Sequence, residues 1–289
     1  MKNPMKLAAL LFSVSCGLIL AAYSVESLPG QAKQYQASTA DGQMSPDSKF
    51  ISVNGIRIHY LEWGRGGSHI LLLHGLNGDA RPWTDLAPIL ASEYQVLALD
   101  RRGAGESDKP IEGYDFQTLA DDIAAFSMKL NLGRVILVGN SFGAQLALMT
   151  AAKKPDLVSS VILIDGGFWP KKNIAANPSP SSEIEKTIRE YDPETVYPDI
   201  RVPVLMIIAR GSAPGADVIA QLKEKGIDYF EEIKKAERGA KELADRKLIH
   251  GEIAIIEDTS HNVQVDQPKK LAETIKQFLS KVASIQPQK

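Results

Sequence analysis

The stretch Val135-Ile-Leu-Val-Gly-Asn-Ser-Phe-Gly-Ala144 decides the fold. Its first four residues are apolar and mostly β-branched, which favours a buried strand. Gly139-Asn-Ser-Phe-Gly143 then interrupts the run, and an Ala/Leu-rich segment with helical spacing follows from Ala144 to Ala152. The pattern predicts a strand, an abrupt turn carrying Ser141, and a helix. The turn has glycine on both sides, as expected where strand and helix pass too close for a Cβ. We also expect the backbone of Ser141 to be strained.

Apolar runs on both sides of this stretch alternate with segments of helical spacing. Two period-2 runs flank Asn54-Gly55 and predict a β-hairpin. Further strands are predicted at Ile70–Leu73, Val96–Leu99, Val161–Ile164, Val202–Ala209 and Glu252–Ile256. Helices are predicted at Trp83–Leu90, Phe116–Leu130, Ala216–Leu248 with a break at Gly226, and Leu271–Leu279. Such alternation predicts an α/β fold, with a mainly parallel central sheet and helices on both faces.

Length and composition are those of a globular protein with a sizeable core. The chain has 289 residues, 44% hydrophobic and 24% charged, and a net charge of −2. That charge excludes the basic footprint of a nucleic-acid-binding protein. Neither a metal-ligand spacing nor a dinucleotide or phosphate fingerprint is present, so we predict no metal and no cofactor.

The N-terminus is typical of an export signal. Residues 1–24 begin with a short basic segment, and residues 7–23 are uncharged and mostly apolar. We expect a signal peptide and a periplasmic or secreted protein. The alternative is a retained membrane anchor with the catalytic domain outside. Residues 25–48 form a polar linker, residues 49–285 form the domain, and the only cysteine, Cys16, lies in the leader.

Three blocks in this order resemble the α/β-hydrolase superfamily, over the chain from about Ser48 to Val282 apart from an irregular middle. Gly139–Gly143 is a G-x-S-x-G nucleophile elbow, and Leu71-Leu-Leu-His-Gly-Leu76 resembles the family's His-Gly loop. Asp100-Arg-Arg-Gly-Ala-Gly-Glu-Ser107 resembles its D-x-R-G-x-G-x-S loop. The resemblance implies the α/β-hydrolase fold, with Ser141 as nucleophile and the backbone N–H groups of Leu76 and Phe142 as the oxyanion hole. We interpret His74, Asp100 and Arg102 as structural, the last two pairing with each other or binding backbone.

The resemblance also implies a general base and a carboxylate. His261 follows the last strand, where the family places the base that deprotonates the serine. The carboxylate usually lies after the seventh strand, where this chain offers Asp217, which could instead be a helix N-cap. Some members carry it at the end of the sixth strand, where this chain has Asp165. Both satisfy the chain order Ser, Asp, His, and we favour Asp165.

A short cap insertion is expected after the sixth strand, at residues 168–201. Phe168 and Trp169 would line the substrate pocket or pack against the core.

We predict a serine hydrolase that cleaves a small ester or related acyl bond in a small-molecule substrate. A carbon–carbon hydrolase, amidase or peptidase with the same triad is the first alternative, and a weakly catalytic ligand-binding protein the second. Serine at the elbow disfavours epoxide hydrolases and haloalkane dehalogenases, which place a carboxylate there. Substrate identity and oligomeric state stay open.

Overall fold

Eight strands form one sheet in the computed structural model, which describes residues 44–168, 183–211, 219–220, 223–224, 228–248 and 250–285. The strands are β1 Asp47–Val53, β2 Ile56–Trp63, β3 His69–Leu73, β4 Gln95–Leu99, β5 Val135–Asn140, β6 Val158–Ile164, β7 Val204–Arg210 and β8 Gly251–Glu257. Their order is β1-β2-β4-β3-β5-β6-β7-β8. β1 and β2 form an antiparallel hairpin and β2 is antiparallel to β4, while all other neighbours are parallel. The predicted hairpin and mainly parallel sheet are confirmed.

Helices connect the strands and cover the sheet. They are α1 Ala87–Leu90, α2 Phe116–Lys129, α3 Phe142–Lys153, α4 Glu183–Glu190, α5 Pro193–Val196, α6 Tyr229–Lys247, α7 Val263–Asp266 and α8 Pro268–Ile285. Two short 3₁₀ helices lie at Arg81–Trp83 and Tyr197–Asp199. No helix within the described part of the chain is long and apolar enough to span a membrane.

The core has two layers, one on each face of the sheet. Side chains alternate along a strand, so Leu71 and Leu73 of β3 enter one layer while Ile70 and Leu72 enter the other. Residues of α2, α3 and α6 complete the first layer, and residues of α1 and α8 complete the second. Because both faces are buried, the central strands read as continuous apolar runs, and the prediction of helices on both faces is confirmed.

Two boundaries differ from the sequence predictions. The helix expected at Trp83–Leu90 is replaced by a 3₁₀ turn at Arg81–Trp83 and the single turn α1, because Pro88 lacks the N–H that a continuous helix needs. β1 begins at Asp47, two residues before the predicted domain start, since Ser48 and its neighbours pair with β2. The predicted leader 1–24, and the linker up to residue 43, lie outside the described residues.

The cap expected at residues 168–201 stays a prediction, and of this connection between β6 and β7 the structure describes residue 168 and residues 183–201. Within it, residues 183–201 carry α4, α5 and a 3₁₀ helix. Two buried phenols of this segment hydrogen-bond one backbone carbonyl, with Tyr191 Oη 2.6 Å and Tyr197 Oη 3.1 Å from the oxygen of Gly167. The segment is therefore fastened to the loop that leaves β6.

Candidate active site

Ser141 occupies the strained turn that the sequence predicts. It joins β5 to α3 with φ 57° and ψ −117°, a conformation that costs energy for any residue with a side chain. A Cβ on Gly139 would overlap the backbone of Gly143, and one on Gly143 would overlap the backbone at Leu73. Both glycines are thus required by close approach, and the turn holds Ser141 at the N-terminus of α3, where the helix dipole favours negative charge.

The loop after β3 lies against Ser141. A Cβ placed on Gly75 would be 3.5 Å from the Cβ of Ser141. Leu76 follows Gly75, and Phe142 is the first residue of α3. Within the described part of the chain, no hydrogen bond uses the backbone N–H of Leu76 or Phe142 as donor. This is the condition that two oxyanion donors must meet before substrate binds.

Asp165 and His261 form a buried pair at the same edge of the sheet. His261 Nδ1 lies 2.6 Å from Asp165 Oδ2, and the two residues are 8% and 5% exposed. Asp165 comes directly after β6, and His261 follows β8. A Cβ on the next residue, Gly166, would be 2.6 Å from the carbonyl oxygen of Ser141, so the loop that carries the acid packs on the nucleophile turn.

The environment of Asp165 perturbs its ionisation. Burial raises the pKa of its carboxyl group, while the hydrogen bond to His261 acts in the opposite direction. The Ala209 N–H also donates to its Oδ1, at 3.3 Å. Because Nδ1 of His261 is engaged with the carboxylate, Nε2 is the ring nitrogen that can take a proton.

Asn140 contributes a contact that sequence reasoning missed. Its side-chain amide donates to the carbonyl oxygen of His261 at 2.9 Å and to that of Ile164 at 3.3 Å. The amide therefore ties the histidine loop to the end of β6. A polar residue at the end of an otherwise apolar strand was the available signal, but its partner lies 121 residues away.

His74 is structural, as predicted, because both ring nitrogens serve its loop. Nδ1 lies 2.7 Å from the carbonyl oxygen of Gly75, and Nε2 accepts the Arg101 N–H at 3.2 Å. This arrangement requires the neutral ring with its proton on Nδ1. Burial, followed by the positive charge of Arg101, lowers the pKa of His74 to about 4, which is consistent with that neutral form.

Arg101 is the second residue that sequence reasoning did not single out. Its guanidinium donates to the carbonyl oxygen of Leu76 and lies 5.2 Å from the centroid of the Phe142 ring. It therefore contacts both residues that are predicted to form the oxyanion hole. Burial lowers the pKa of Arg101 to about 10, so the side chain remains a cation at neutral pH.

The loop after β4 is held by interactions other than an Asp100–Arg102 pair. Asp100 accepts two backbone N–H groups and lies 2.8 Å from His59 Nδ1. Arg102 pairs instead with Asp122 of α2, with Nε 2.7 Å from Oδ2. Of the two predicted arrangements, backbone binding is confirmed for Asp100 and mutual pairing is wrong, because Arg102 reaches α2.

Of the other predicted site residues, Phe168 lies within the described part of the chain. Phe168 is completely buried in the hydrophobic layer that contains α3, which favours core packing over pocket lining. Trp169 and the alternative acid Asp217 lie outside the described residues. Among the residues that the structure does describe, no three His, Cys, Asp or Glu side chains are grouped to hold a metal ion.

Comparisons with known proteins agree with this architecture. The family described as the alpha/beta hydrolase fold matches residues 68–210. A 2-(acetamidomethylene)succinate hydrolase from Mesorhizobium japonicum is 39% identical over 118 residues, which cover 41% of this chain and 42% of that protein. A soluble epoxide hydrolase from a Corynebacterium species is 34% identical over 113 residues, 39% of each chain. The chain thus matches about two fifths of the length of these curated relatives.

Solved structures extend the similarity over most of the chain. A membrane phospholipase A described as a bacterial virulence factor has a TM-score of 0.64 and 25% identity, covering 83% of this chain and 87% of its own. The structure of E-2-(acetamidomethylene)succinate hydrolase has a TM-score of 0.61 at 23% identity, covering 81% and 99%. The second likeness concerns the fold alone.

Proposed function

Because the chain belongs to the α/β-hydrolase superfamily, whose relatives include named hydrolases, we propose that it is a serine hydrolase with Ser141 as its nucleophile. It would cleave a small ester or a related acyl bond through an acyl-enzyme. One observation carries the proposal: the buried Asp165–His261 hydrogen bond lies at the strand ends beside the strained Ser141 turn. Such a pair has the connectivity of a carboxylate that orients a general base.

Each residue would have one task in the reaction. Ser141 Oγ attacks the acyl carbon while His261 Nε2 takes its proton, and Asp165 stabilises the resulting imidazolium. The N–H groups of Leu76 and Phe142 would stabilise the oxyanion, each lost donor costing about 2.7–4 kcal/mol in the barrier. The imidazolium then protonates the leaving alcohol, and water, activated by the same histidine, hydrolyses the acyl-enzyme.

A fluorophosphonate probe on the full chain tests the nucleophile. We expect one label on the peptide that contains Ser141, located by mass spectrometry, and its loss in Ser141→Ala. Ser92→Ala is a matched control, because Ser92 is also a serine, is exposed, and lies well before Ser141 in the sequence. A panel of p-nitrophenyl esters of increasing acyl length would then measure the pocket. A folded protein whose Ser141 stays unlabelled would support the ligand-binding alternative.

Arg101 favours a second candidate, the hydrolysis of a substrate that carries a carboxylate. Among the described residues, the buried Nε of Arg101 has no hydrogen-bond partner, and the other guanidinium nitrogens donate to backbone carbonyls. A cation beside Leu76 and Phe142 would attract an anionic acyl group. A relative named for a succinate substrate supports this class.

The preference for a charged acyl group can be tested with two esters of similar size. The second candidate predicts a higher kcat/KM for mono-p-nitrophenyl succinate than for p-nitrophenyl butyrate, with the preference lost in Arg101→Met. Equal rates for the two esters in the unmodified protein would remove this candidate and leave the neutral-ester proposal in place.

A further inference from the structure

A second serine, histidine and aspartate lie in a hydrogen-bonded series outside the candidate active site. Ser48 Oγ is 2.9 Å from His59 Nε2, and His59 Nδ1 is 2.8 Å from Asp100 Oδ2. His59 and Asp100 are 4% and 2% exposed, whereas Ser48 is exposed on β1. We propose that Ser48 is a second activated nucleophile, which accepts an acyl group from small activated acyl donors.

The hydrogen bonds around Asp100 fix the proton on His59. Asp100 Oδ1 accepts the N–H of Ala80 at 2.7 Å, and Oδ2 accepts that of Glu106 at 2.8 Å. Since both carboxylate oxygens already accept backbone N–H groups, Asp100 acts as the acceptor towards the imidazole, and the proton between them sits on Nδ1 of His59. Nε2 then carries a lone pair, and the Ser48 hydroxyl is the donor. This is the polarity of a serine activated by a histidine base.

The imidazole of His59 is held in place from several sides. The backbone N–H of His59 donates to Ser107 Oγ at 2.8 Å, and Ser107 Oγ donates to the carbonyl oxygen of Asp100 at 2.6 Å. The Phe50 ring packs on the imidazole with centroids 4.9 Å apart. Because strand and loop are locked together, the base needs no reorganisation to act on Ser48.

The surroundings of Ser48 suit a small acyl donor. Among the described strands, β1 lies at the edge of the sheet and pairs with β2. Phe50 is 44% exposed, and the Arg57 guanidinium lies 4.5 Å from its ring centroid. The ring offers an apolar platform beside Ser48, whereas Arg57 lies opposite Ser52 and pairs with Asp108 at 3.9 Å. β1 is four positions from β5 in the sheet order, about 19 Å at 4.8 Å per strand, so the two serines form separate sites.

The reaction at Ser48 is balanced without a further reagent. Ser48 Oγ attacks the carbonyl carbon of an activated ester, and His59 Nε2 takes the hydroxyl proton. The new Oγ–carbon bond replaces the bond to the leaving alkoxide, which receives that proton from the imidazolium. The products are acyl-Ser48, the free alcohol and neutral His59.

The test uses the full chain carrying Ser141→Ala, treated with p-nitrophenyl acetate and analysed by peptide mapping with tandem mass spectrometry. Ser52 is an internal control, because it is an exposed serine on the same face of β1. We expect Ser48 to be acetylated at least ten times faster than Ser52. We also expect the rate at Ser48 to fall at least tenfold when His59→Gln is added, since positioned general bases contribute about 10²–10⁴-fold.

Two results would overturn the proposal. One is acetylation of Ser48 no faster than of Ser52, which needs no second variant and so does not depend on the folding of His59→Gln. The other is an unchanged rate at Ser48 in a His59→Gln protein that keeps its far-ultraviolet circular dichroism. Because Ser141 is absent from every sample, neither result bears on the function proposed for Ser141.

Discussion

Replacing Asp165 by asparagine removes the charge of the proposed triad acid with little disturbance of its surroundings. Asp165 has φ 46°, a left-handed conformation that asparagine adopts more readily than most residues. The two side chains have nearly the same size, so the buried position should keep its packing. We therefore expect Asp165→Asn to fold, with a melting temperature within a few degrees of the unmodified protein.

The size of the loss follows from the two hydrogen bonds that the carboxylate accepts. One oxygen takes the His261 Nδ1–H at 2.6 Å and the other the Ala209 N–H at 3.3 Å. An asparagine has one acceptor oxygen, so it satisfies only one of these donors. If the oxygen turns to Ala209, the amide forces the wrong tautomer on His261, which cost about 10⁴-fold in kcat in a serine protease.

The long Ala209 bond makes the opposite orientation accessible too. With its oxygen turned to His261, the asparagine keeps the tautomer but supplies no charge to the imidazolium. We therefore expect kcat to fall by about 10²- to 10⁴-fold, which is about 2.7–5.4 kcal/mol at 1.36 kcal/mol per decade. Initial rates with p-nitrophenyl butyrate measure this, and Asp217→Asn is the matched control, expected to lose only a few-fold. A loss below tenfold in Asp165→Asn, with a large loss in Asp217→Asn, would refute the assignment of the acid.

Three further variants test the structure around the site. Gly143→Ala should be less stable in thermal denaturation and show no labelling of the serine, because its Cβ would overlap backbone of β3; a soluble, active variant would contradict this. Asn140→Ala removes the 2.9 Å bond to the His261 carbonyl, and since a typical hydrogen bond contributes about 1 kcal/mol to stability, the variant should melt about 2–4 °C lower; kcat should also fall, because the His261 loop loses its tie to β6, and an unchanged melting temperature with unchanged kcat would contradict this. Arg102→Met leaves the Asp122 carboxylate buried without its partner and should cost about 3–5 kcal/mol in urea unfolding, with Arg134→Met as control; equal losses in both variants would count against that reasoning.

The frame of the site could be predicted because its determinants are local. Apolar runs bounded by turn residues predict the strands. The steric need for glycine around Ser141 follows from a few neighbouring residues. The helix at Trp83–Leu90 was predicted as one piece because spacing alone ignores the missing N–H of proline.

The choice of the acid could not be made from chain order. Asp165 and Asp217 both lie between the serine and the histidine in sequence, whereas the contact of Asp165 with His261 depends on the parallel register of β6, β7 and β8. The role of Arg101 could not be predicted either, because its contact with the Leu76 carbonyl joins the loop after β4 to the loop after β3. Contacts of this kind depend on how the strands are ordered in the sheet, which periodicity does not encode.

The two phenols that share the Gly167 carbonyl have a consequence for how this scaffold can diversify. Tyr191 and Tyr197 fasten the returning end of the cap two residues beyond Asp165. The two hydrogen bonds therefore tie residues 183–201 to the loop that carries Asp165. Sequence changes elsewhere in the connection between β6 and β7 should therefore leave the Asp165–His261 pair in place, which would allow this connection to diversify separately from that pair.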